Sequence, residues 1–233
     1  MSPRTYRSGQ RSSATKETRS RIVDAARTLL SRAGGDTFTI DAVAELADVA
    51  RMTIYHQFGS KPGLIAAVSD DLASRGGIGR LPEAFMAPDP MAGLEILVQV
   101  FIHLWESERL VVRRLRALSA LDPDFTDHED RNHRRRHAIT VLLRRLSPPP
   151  GDLDDKADLL TALTSFESYE TLAAGGRDAE TAARLISATI RRLLDQGRTR
   201  HKSESSAGPK PGQLPKSLTS KPADEQRYKL RNL

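Results

Sequence analysis

The 233-residue sequence predicts an all-α protein, with an N-terminal helix-turn-helix domain of three helices and a larger helical domain behind it. Three observations predict this class. Apolar residues recur three and four positions apart in one segment after another, which is the period of an amphipathic helix. No stretch alternates apolar and polar residues long enough to indicate a β-strand. Near the N-terminus, a tight break separates two short helical segments that follow a longer one, as in a helix-turn-helix unit.

The chain opens with a basic segment and the first periodic helix. Residues 1–15 contain three arginines and no acidic residue, and we expect them to form a disordered arm. The first helix follows, and Gly34 and Gly35 are expected to end it because glycine commonly terminates helices. Its apolar stripe consists of Ile22, Ala25, Ala26, Leu29, Leu30 and Ala33.

The next two helices are short, and polar or small residues mark their ends. Thr39 stands where an N-cap belongs, before the second helix, and residues 48–50 form a short break. The third helix is expected from Arg51 to Phe58, with Ile54 facing inward. Ser60 can then cap a fourth helix. The apolar faces consist of Ile40, Val43, Ala44 and Ala47 on the second helix, and of Leu64, Ile65, Val68 and Leu72 on the fourth.

These elements divide the chain into a DNA-binding domain at residues 16–61 and a larger helical domain at residues 62–197. In the latter, a loop rich in glycine and proline from about residue 75 precedes helical segments near residues 94–105, 110–121, 130–146, 154–174 and 178–196, with a stop from Pro148 to Gly151. Residues 198–233 contain four prolines, five serines and one aromatic residue, so we expect a disordered basic tail.

Composition restricts the function. Residues 1–61 carry a net charge of +4, residues 62–197 one of −4 and residues 198–233 one of +6, which favours a polyanion as partner for the ends. The absence of cysteine excludes disulfides and thiolate sites. The longest run without a formally charged residue has ten residues, too few for a membrane span, and no signal peptide is visible. We therefore expect a cytoplasmic protein without membrane contacts.

The third helix presents hydrogen-bonding side chains outward, which is typical of a helix that reads DNA. An arginine can pair with the O6 and N7 atoms of guanine, and threonine or tyrosine can contact phosphates or a thymine methyl group. Backbone amides at the starts of the neighbouring helices favour a nearby phosphate. The predicted DNA-binding residues are Thr39, Arg51, Met52, Thr53, Tyr55, His56, Gln57 and Lys61.

Residues 19–65 resemble the TetR family of bacterial transcriptional regulators. The matching segments are Arg21–Ala26, Leu29–Leu30, Gly35, Thr39–Ile40, Val43–Ala44, Ala47–Val49 and Thr53–Lys61. The resemblance implies a repressor of palindromic operator DNA that is released by a small-molecule effector and acts as a two-fold dimer through its last two helices. We expect no cofactor and no enzymatic activity.

Two residues depart from the family pattern. Where the family usually has glycine in the turn, this chain has Asp48, which tolerates a left-handed backbone better than most residues. Where the family usually has a serine or threonine cap, it has Ala50, whose side chain cannot cap the third helix; the loss is about 1 kcal/mol. Asp48 could replace that cap in part by reaching the amide of Arg51.

The larger domain is expected to hold the effector and the dimer interface. Large apolar or amphipathic residues on two helices, namely Phe101, Trp105, Phe166 and Tyr169, could enclose a mainly hydrophobic effector, although Phe101 and Trp105 are also typical of an ordinary core. The apolar face proposed for the dimer consists of Ala182, Ala183, Ile186, Ile190, Leu193 and Leu194, with Leu159, Leu163, Phe166 and Leu172 from the preceding helix. The alternative is that this face only covers the larger domain of a monomer.

Other functions have less support. His133 and His137 could share a helix face near His128, but four arginines surround them and would repel a metal ion, so a solvated basic face is favoured. No phosphate-binding loop or nucleophile motif occurs that would indicate an enzyme. The alternative function is an interaction protein that keeps the helix-turn-helix core but binds nucleic acid only nonspecifically.

Overall fold

The computed structural model describes residues 4–32, 38–121, 127–146 and 152–206, and within these ranges the regular secondary structure is entirely helical. A 3₁₀ turn at Ile78–Arg80 lies between the fourth and fifth helices. The helices are α1 (Arg4–Ser31), α2 (Ile40–Ala47), α3 (Arg51–Phe58), α4 (Lys61–Arg75), α5 (Leu81–Met86), α6 (Pro90–Ser107), α7 (Arg109–Leu121), α8 (Asp127–Arg144), α9 (Leu153–Leu163), α10 (Phe166–Ala174) and α11 (Ala179–Ser206).

The N-terminal unit packs α1 against α2 and α4, and α3 against α2 and α4. Its centre consists of side chains that are fully shielded from solvent, among them Ile22, Val43, Ile54 and Leu64. Each supplies about 1.5–3 kcal/mol of burial free energy relative to an exposed position. This apolar centre fixes the angle at which the outer face of α3 is presented.

The predicted caps of α2 and α4 are present. The Thr39 Oγ1 accepts a hydrogen bond from the Ala42 amide at 3.1 Å, and the Ser60 Oγ accepts one from the Gly63 amide at 3.1 Å. Each satisfies an amide at the helix start that has no partner within the helix. The two caps therefore fix where the helices on either side of α3 begin.

Helix α6 is the central element of the larger domain, where it contacts α4, α5, α7, α8, α10 and α11. Asp89 caps its start by accepting hydrogen bonds from the amides of Met91 and Ala92. Gly93 lets α5 approach closely, because a Cβ at this position would overlap the Ala84 carbonyl oxygen. As expected for a central helix, α6 buries residues around most of its circumference.

The single helix expected near residues 154–174 is wrong, because the chain breaks between α9 and α10. The buried Thr164 hydroxyl donates to the Leu160 carbonyl at 2.8 Å, and Ser165 starts the next helix by accepting a hydrogen bond from the Ser168 amide. The Trp105 indole N–H donates to the Thr164 carbonyl at 3.0 Å. Threonine and serine side chains compete with the regular helical hydrogen bonds, which explains the break.

The helices at the two ends of the chain extend further than predicted. Helix α1 begins at Arg4, so most of the segment expected to be a disordered arm is helical, and α11 continues to Ser206 instead of ending before residue 198. No proline interrupts either extension, and a formed helix gains one hydrogen bond for each residue that it adds. The remainder of the predicted tail, residues 207–233, lies outside the described residues.

The segment from residue 75 to 90, expected to be a loop, contains the 3₁₀ turn and α5. The predicted breaks at Gly34–Gly35 and at Pro148–Gly151 lie outside the described residues. Within the described ranges, none of the helices combines the length and the apolar character that crossing a membrane requires.

Candidate nucleic-acid interface and ligand-binding core

The turn between α2 and α3 is built on a left-handed aspartate. Asp48 has φ 51° and ψ 56°, and within the described ranges it is the sole non-glycine residue with positive φ. Its amide donates to the Glu45 carbonyl at 3.2 Å, and the Val49 amide donates to the Ala44 carbonyl at 3.0 Å. The prediction that aspartate accommodates the turn in place of glycine is confirmed.

Helix α3 starts without a side-chain cap. Ala50 has the extended backbone of an N-cap residue, but no side chain among the described residues accepts a hydrogen bond there. The expectation that Asp48 would supply this cap is therefore wrong, because its backbone is committed to the turn. The Thr53 amide donates instead to the Ala50 carbonyl at 2.8 Å.

The outer face of α3 is polar and accessible, as predicted. Ile54 is fully buried and seats the helix on the core, whereas Arg51, Met52 and His56 are exposed. The remaining predicted contact residues of α3, Thr53, Tyr55 and Gln57, are partly buried. One face of α3 therefore anchors the helix and the other presents its hydrogen-bonding groups to solvent.

Arg51 is held by two neighbours on this face. Its Nη1 atom lies 3.1 and 3.0 Å from the two carboxylate oxygens of Asp41, and its Nη2 donates to the Tyr55 hydroxyl at 3.3 Å. The hydrogen bond with Tyr55 and, after it, the charge of Asp41 raise the pKa of Arg51 above its ordinary value. The guanidinium is thereby oriented across the first turns of α2 and α3. Sequence reasoning missed Asp41.

The two residues predicted to contact phosphates lie at helix starts beside α3. The Thr39 oxygen accepts the capping bond described above, so its hydroxyl hydrogen is available to a phosphate oxygen. Lys61 is the first residue of α4, and its Nζ lies 5.9 Å from the centre of the Phe38 ring. Both positions combine a helix start with a polar side chain, which suits an anion.

Helix α1 also supports the end of α3, through a residue that sequence reasoning missed. Arg19 donates to the Gln57 carbonyl at 2.7 Å, and its guanidinium lies 4.2 Å from the centre of the Phe58 ring. The carbonyl groups at a helix C-terminus carry partial negative charge, so an arginine there is stabilising. The sequence alone could not predict this contact, because 38 residues separate Arg19 from its acceptor.

An ion pair and a hydrogen bond join the N-terminal unit to the larger domain. Arg27 of α1 pairs with Glu108 at 2.8 Å, between α6 and α7. Arg114 of α7 donates to the Arg32 carbonyl at 2.8 Å. Helix α7 thus contacts the last part of α1 directly.

The four residues predicted to surround an effector come together in one aromatic cluster. Ring centres are 6.0 Å apart for Phe101 and Trp105, 5.8 Å for Trp105 and Phe166, and 6.5 Å for Phe166 and Tyr169. Trp105 is partly buried, whereas the other three are buried. Since the cluster reaches solvent only at Trp105, that indole marks its accessible edge.

Arginines surround this aromatic cluster. Arg109 and Arg113 of α7 both pair with Glu170 of α10, and Arg116 pairs with Glu167 at 3.1 Å. Burial works to raise the pKa of Glu170, but the hydrogen bonds from Arg109 and Arg113 outweigh it and hold that pKa below its ordinary value. The helices α7 and α10 are thus joined by guanidinium–carboxylate pairs along the edge of the cluster.

Arg135 of α8 is buried against the cluster, and sequence reasoning did not predict its place there. Its guanidinium lies 5.5 Å from the centre of the Phe101 ring and 5.9 Å from that of Trp105. Burial and, after it, the charge of Arg116 lower the pKa of Arg135 to about 10. It remains charged at neutral pH in spite of this environment.

The structure also contains an open groove of about 670 Å³ between α6 and α11. Its lining includes the charged or polar residues Glu95, His103, Arg184 and Asp195. The groove residues of α6, Glu95 and His103, lie on a different face of this helix from Phe101 and Trp105, so the groove does not include the aromatic cluster.

The apolar face that was predicted to form a dimer is largely used within one chain. Ala182, Ala183, Ile186, Ile190 and Leu194 are all at most 9% exposed, and they pack into the core that α6 shares with α11. The reason is the central position of α6: its apolar residues lie around most of its circumference, and α11 shields one side of them from solvent. Of the predicted face, Leu159 remains 50% exposed, and Leu185, which the prediction did not include, is 42% exposed.

The histidines do not form a metal site in the described part of the chain. His133 and His137 are exposed on α8, and no group of three possible metal ligands occurs among the described residues. The His128 side chain lies outside those residues.

Comparison with known proteins identifies relatives of the N-terminal unit and of most of the chain. The family model for bacterial regulatory proteins of the tetR family matches residues 22–68. The HTH-type transcriptional regulator AlkX of Mycobacterium tuberculosis is 30% identical over 179 residues, covering 64% of this chain and 84% of the relative. The HTH-type transcriptional regulator TtgR of Pseudomonas putida is 32% identical over 152 residues, covering 60% and 71%.

Solved structures share the fold at low identity. A transcriptional regulator from a Rhodococcus species aligns with a TM-score of 0.60 at 16% identity, covering 76% of this chain and 96% of the other. A regulator from Saccharomonospora viridis, solved in complex with choline, gives 0.58 at 21% identity over 77% and 96%. NalD of Pseudomonas aeruginosa, described as the secondary repressor of a multidrug efflux pump, gives 0.56 at 19% over 77% and 96%.

Proposed function

We propose that this chain, which belongs to the TetR family of bacterial regulatory proteins, represses transcription by binding a palindromic operator as a homodimer and leaves the DNA when a small hydrophobic effector binds. As a helix-turn-helix regulator of this family it is a transcription factor and not an enzyme. The observation that carries the proposal is α3, which is seated by Ile54 and exposes a face of hydrogen-bonding side chains.

In this proposal, α3 enters the major groove and its N-terminal residues contact base edges. Arg51 leaves its present partner Asp41 and pairs with a guanine. Contacts with bases or the adjacent backbone are made by Thr53, Tyr55 and His56. The remaining predicted members of this face, Met52 and Gln57, border the same groove. Thr39 and Lys61 contact phosphates on either side and set the orientation of the helix.

The effector is proposed to bind at the aromatic cluster of Phe101, Trp105, Phe166 and Tyr169. The relatives give this general support, since NalD is described as a repressor and the Saccharomonospora viridis regulator was solved with a bound small molecule. Within this chain, the support is that α7 contacts both the cluster's edge and α1. An effector with a 100-fold preference for the conformer that does not bind DNA contributes about 2.7 kcal/mol to release.

The dimer is proposed to form through the outward faces of α9 and α11. Support comes from Leu159 and Leu185, large apolar side chains that the single chain leaves half exposed. Two DNA-binding units about 34 Å apart would contact successive major grooves on one side of the duplex. One unit alone buries too little DNA surface for strong specificity.

The experiment that tests this function is selection of bound duplexes from a random DNA library by the full-length protein. We expect a palindromic sequence to be enriched and bound at least about 10³-fold more tightly than random duplex. Failure of any sequence to be enriched, with equal affinity for all duplexes, would favour the nonspecific interaction protein instead.

Single substitutions then test the roles of the two basic residues. Arg51→Ala should cost about 1–3 kcal/mol on the selected operator and relax base preference at one position. Lys61→Ala should weaken operator and random duplex alike and reduce the salt dependence of binding. Arg80→Ala is the matched control, because Arg80 is equally exposed but pairs with Glu83 away from α3. Equal losses on both duplexes for Arg51→Ala would contradict a base contact.

A further inference from the structure

The buried guanidinium of Arg135 has fewer partners than its environment requires. Arg135 is 4% exposed, and its Nε atom has no hydrogen-bond acceptor in the part of the chain that the structure describes. Its Nη2 donates only to neutral oxygens, the Asn132 Oδ1 at 3.1 Å and the Thr161 carbonyl at 3.4 Å. A buried donor without an acceptor and a buried charge without a counter-ion are both costly, so native proteins ordinarily satisfy each of them.

We propose that Arg135 binds the carboxylate of the effector, which is therefore an amphipathic organic acid and not a neutral hydrophobic compound. This inference rests on the proposed function, since it names the chemical class of the ligand at the aromatic cluster. One carboxylate oxygen accepts the hydrogen bond that Nε now lacks, and the negative charge neutralises the guanidinium.

The charges around Arg135 favour an anion. No carboxylate among the described residues forms an ion pair with Arg135, and the nearby Glu167 is already paired with Arg116 at 3.1 Å. Among the described residues, Glu170 is paired with Arg109 and Arg113, and Glu167 with Arg116, so neither carboxylate is free to pair with Arg135. The charge of Arg135 is compensated when an acid binds.

The aromatic rings supply the apolar part of the site. The guanidinium lies over the faces of Phe101 and Trp105, at 5.5 and 5.9 Å from the ring centres. Because these faces hold the guanidinium plane in one orientation, its edge is positioned in advance for a carboxylate. The alkyl or aryl portion of the acid then packs against Trp105, the partly buried member of the cluster, and against Phe166.

The proposal is tested by titrating the full-length protein with matched acids and alcohols while the fluorescence of Trp105, the single tryptophan, is recorded. The probes are decanoate with 1-decanol and 4-phenylbutyrate with 4-phenyl-1-butanol. We expect at least one acid to bind about tenfold or more tightly than its alcohol, because only the acid offers a charged acceptor to Nε.

Arg135→Gln should abolish that preference, whereas Arg135→Lys should retain part of it. Arg136→Gln is the matched control, because Arg136 adjoins Arg135 in sequence but pairs at the surface with Asp154 and Asp158, and it should behave as wild type. Thermal unfolding shows which variants are folded. If Arg135→Gln does not fold, the acid preference of Arg135→Lys tests the anion site.

Three outcomes would overturn the proposal: no binding of any probe, equal binding of acids and alcohols, or an acid preference that survives in folded Arg135→Gln. Operator binding without ligand is measured separately. Loss of operator binding with acid preference intact would remove the regulatory function and leave the anion site. Operator binding without acid preference would remove the anion site and leave the regulatory function.

Discussion

Ala50→Ser should stabilise the protein by giving α3 the side-chain cap that it lacks. The backbone at Ala50, with φ −68° and ψ 143°, already has the extended conformation of an N-cap residue. Thr39 and Ser60 are also extended, and each accepts a hydrogen bond from the amide three residues on at 3.1 Å. The new hydroxyl at position 50 should therefore reach the Thr53 amide without a change in the chain.

The expected gain is smaller than that of a full cap. Capping serines contribute about 0.5–2 kcal/mol. The Thr53 amide already donates to the Ala50 carbonyl at 2.8 Å, so the added bond shares a donor and we expect about 0.5–1 kcal/mol. For a chain of this size, about 1 kcal/mol shifts the melting temperature by roughly 2–4 °C.

The assay is thermal and urea unfolding of wild type, Ala50→Ser and Ser60→Ala, followed by circular dichroism. Ser60→Ala removes the corresponding cap of α4 and calibrates the method, since it should lower the free energy of unfolding by about 1 kcal/mol. If Ser60→Ala destabilises the protein while Ala50→Ser leaves stability unchanged or lowers it, the assumption that α3 has an unsatisfied cap position is refuted.

Three further predictions concern the DNA-binding face, the dimer and the core of the larger domain. Asp41→Asn should release Arg51 from its ion pair, raising affinity for random duplex more than for operator; an unchanged ratio of the two affinities in a filter-binding titration would contradict this. Leu185→Asp should give a folded monomer by sedimentation, whereas Leu110→Asp, at a leucine 53% exposed on α7, should remain dimeric. Ile190→Asp should instead unfold the chain, because it places a charge at a position only 2% exposed, and a folded Ile190→Asp monomer would contradict that assignment.

The DNA-binding unit could be predicted from sequence because its signals are local. Thr39 and Ser60 each accept a hydrogen bond from an amide three residues away, and the left-handed turn involves the single residue Asp48. The buried Ile54 follows from helical spacing alone. Each of these signals is readable within a window of a few residues, which is why the bounds of α2 and α3 agree with the prediction.

The aromatic cluster and its surroundings could be predicted only in part, since the decisive contacts there are long-range. Spacing on α6 placed Phe101 and Trp105 on one face, and the aromatic cluster with Phe166 followed. Arg135, by contrast, lies in a segment so rich in arginine that the sequence favours a solvated surface. Its burial depends on how α8 packs against α6, and no local pattern records that packing.

The pairing of Arg51 with Asp41 adds an energetic cost to the DNA contact that we propose for Arg51. The spacing of α3 predicts an outward arginine, and the structure shows that this arginine is held by a carboxylate, which a base contact would have to displace. A phosphate can pair with the guanidinium through two oxygens anywhere along a duplex, whereas a guanine offers O6 and N7 only where the operator places that base. Asp41 therefore penalises random duplex more than operator. Glu45 carries the same charge on α2 without an ion pair to Arg51, so Glu45→Gln should raise both affinities equally, and this contrast separates the exchange from simple repulsion of DNA.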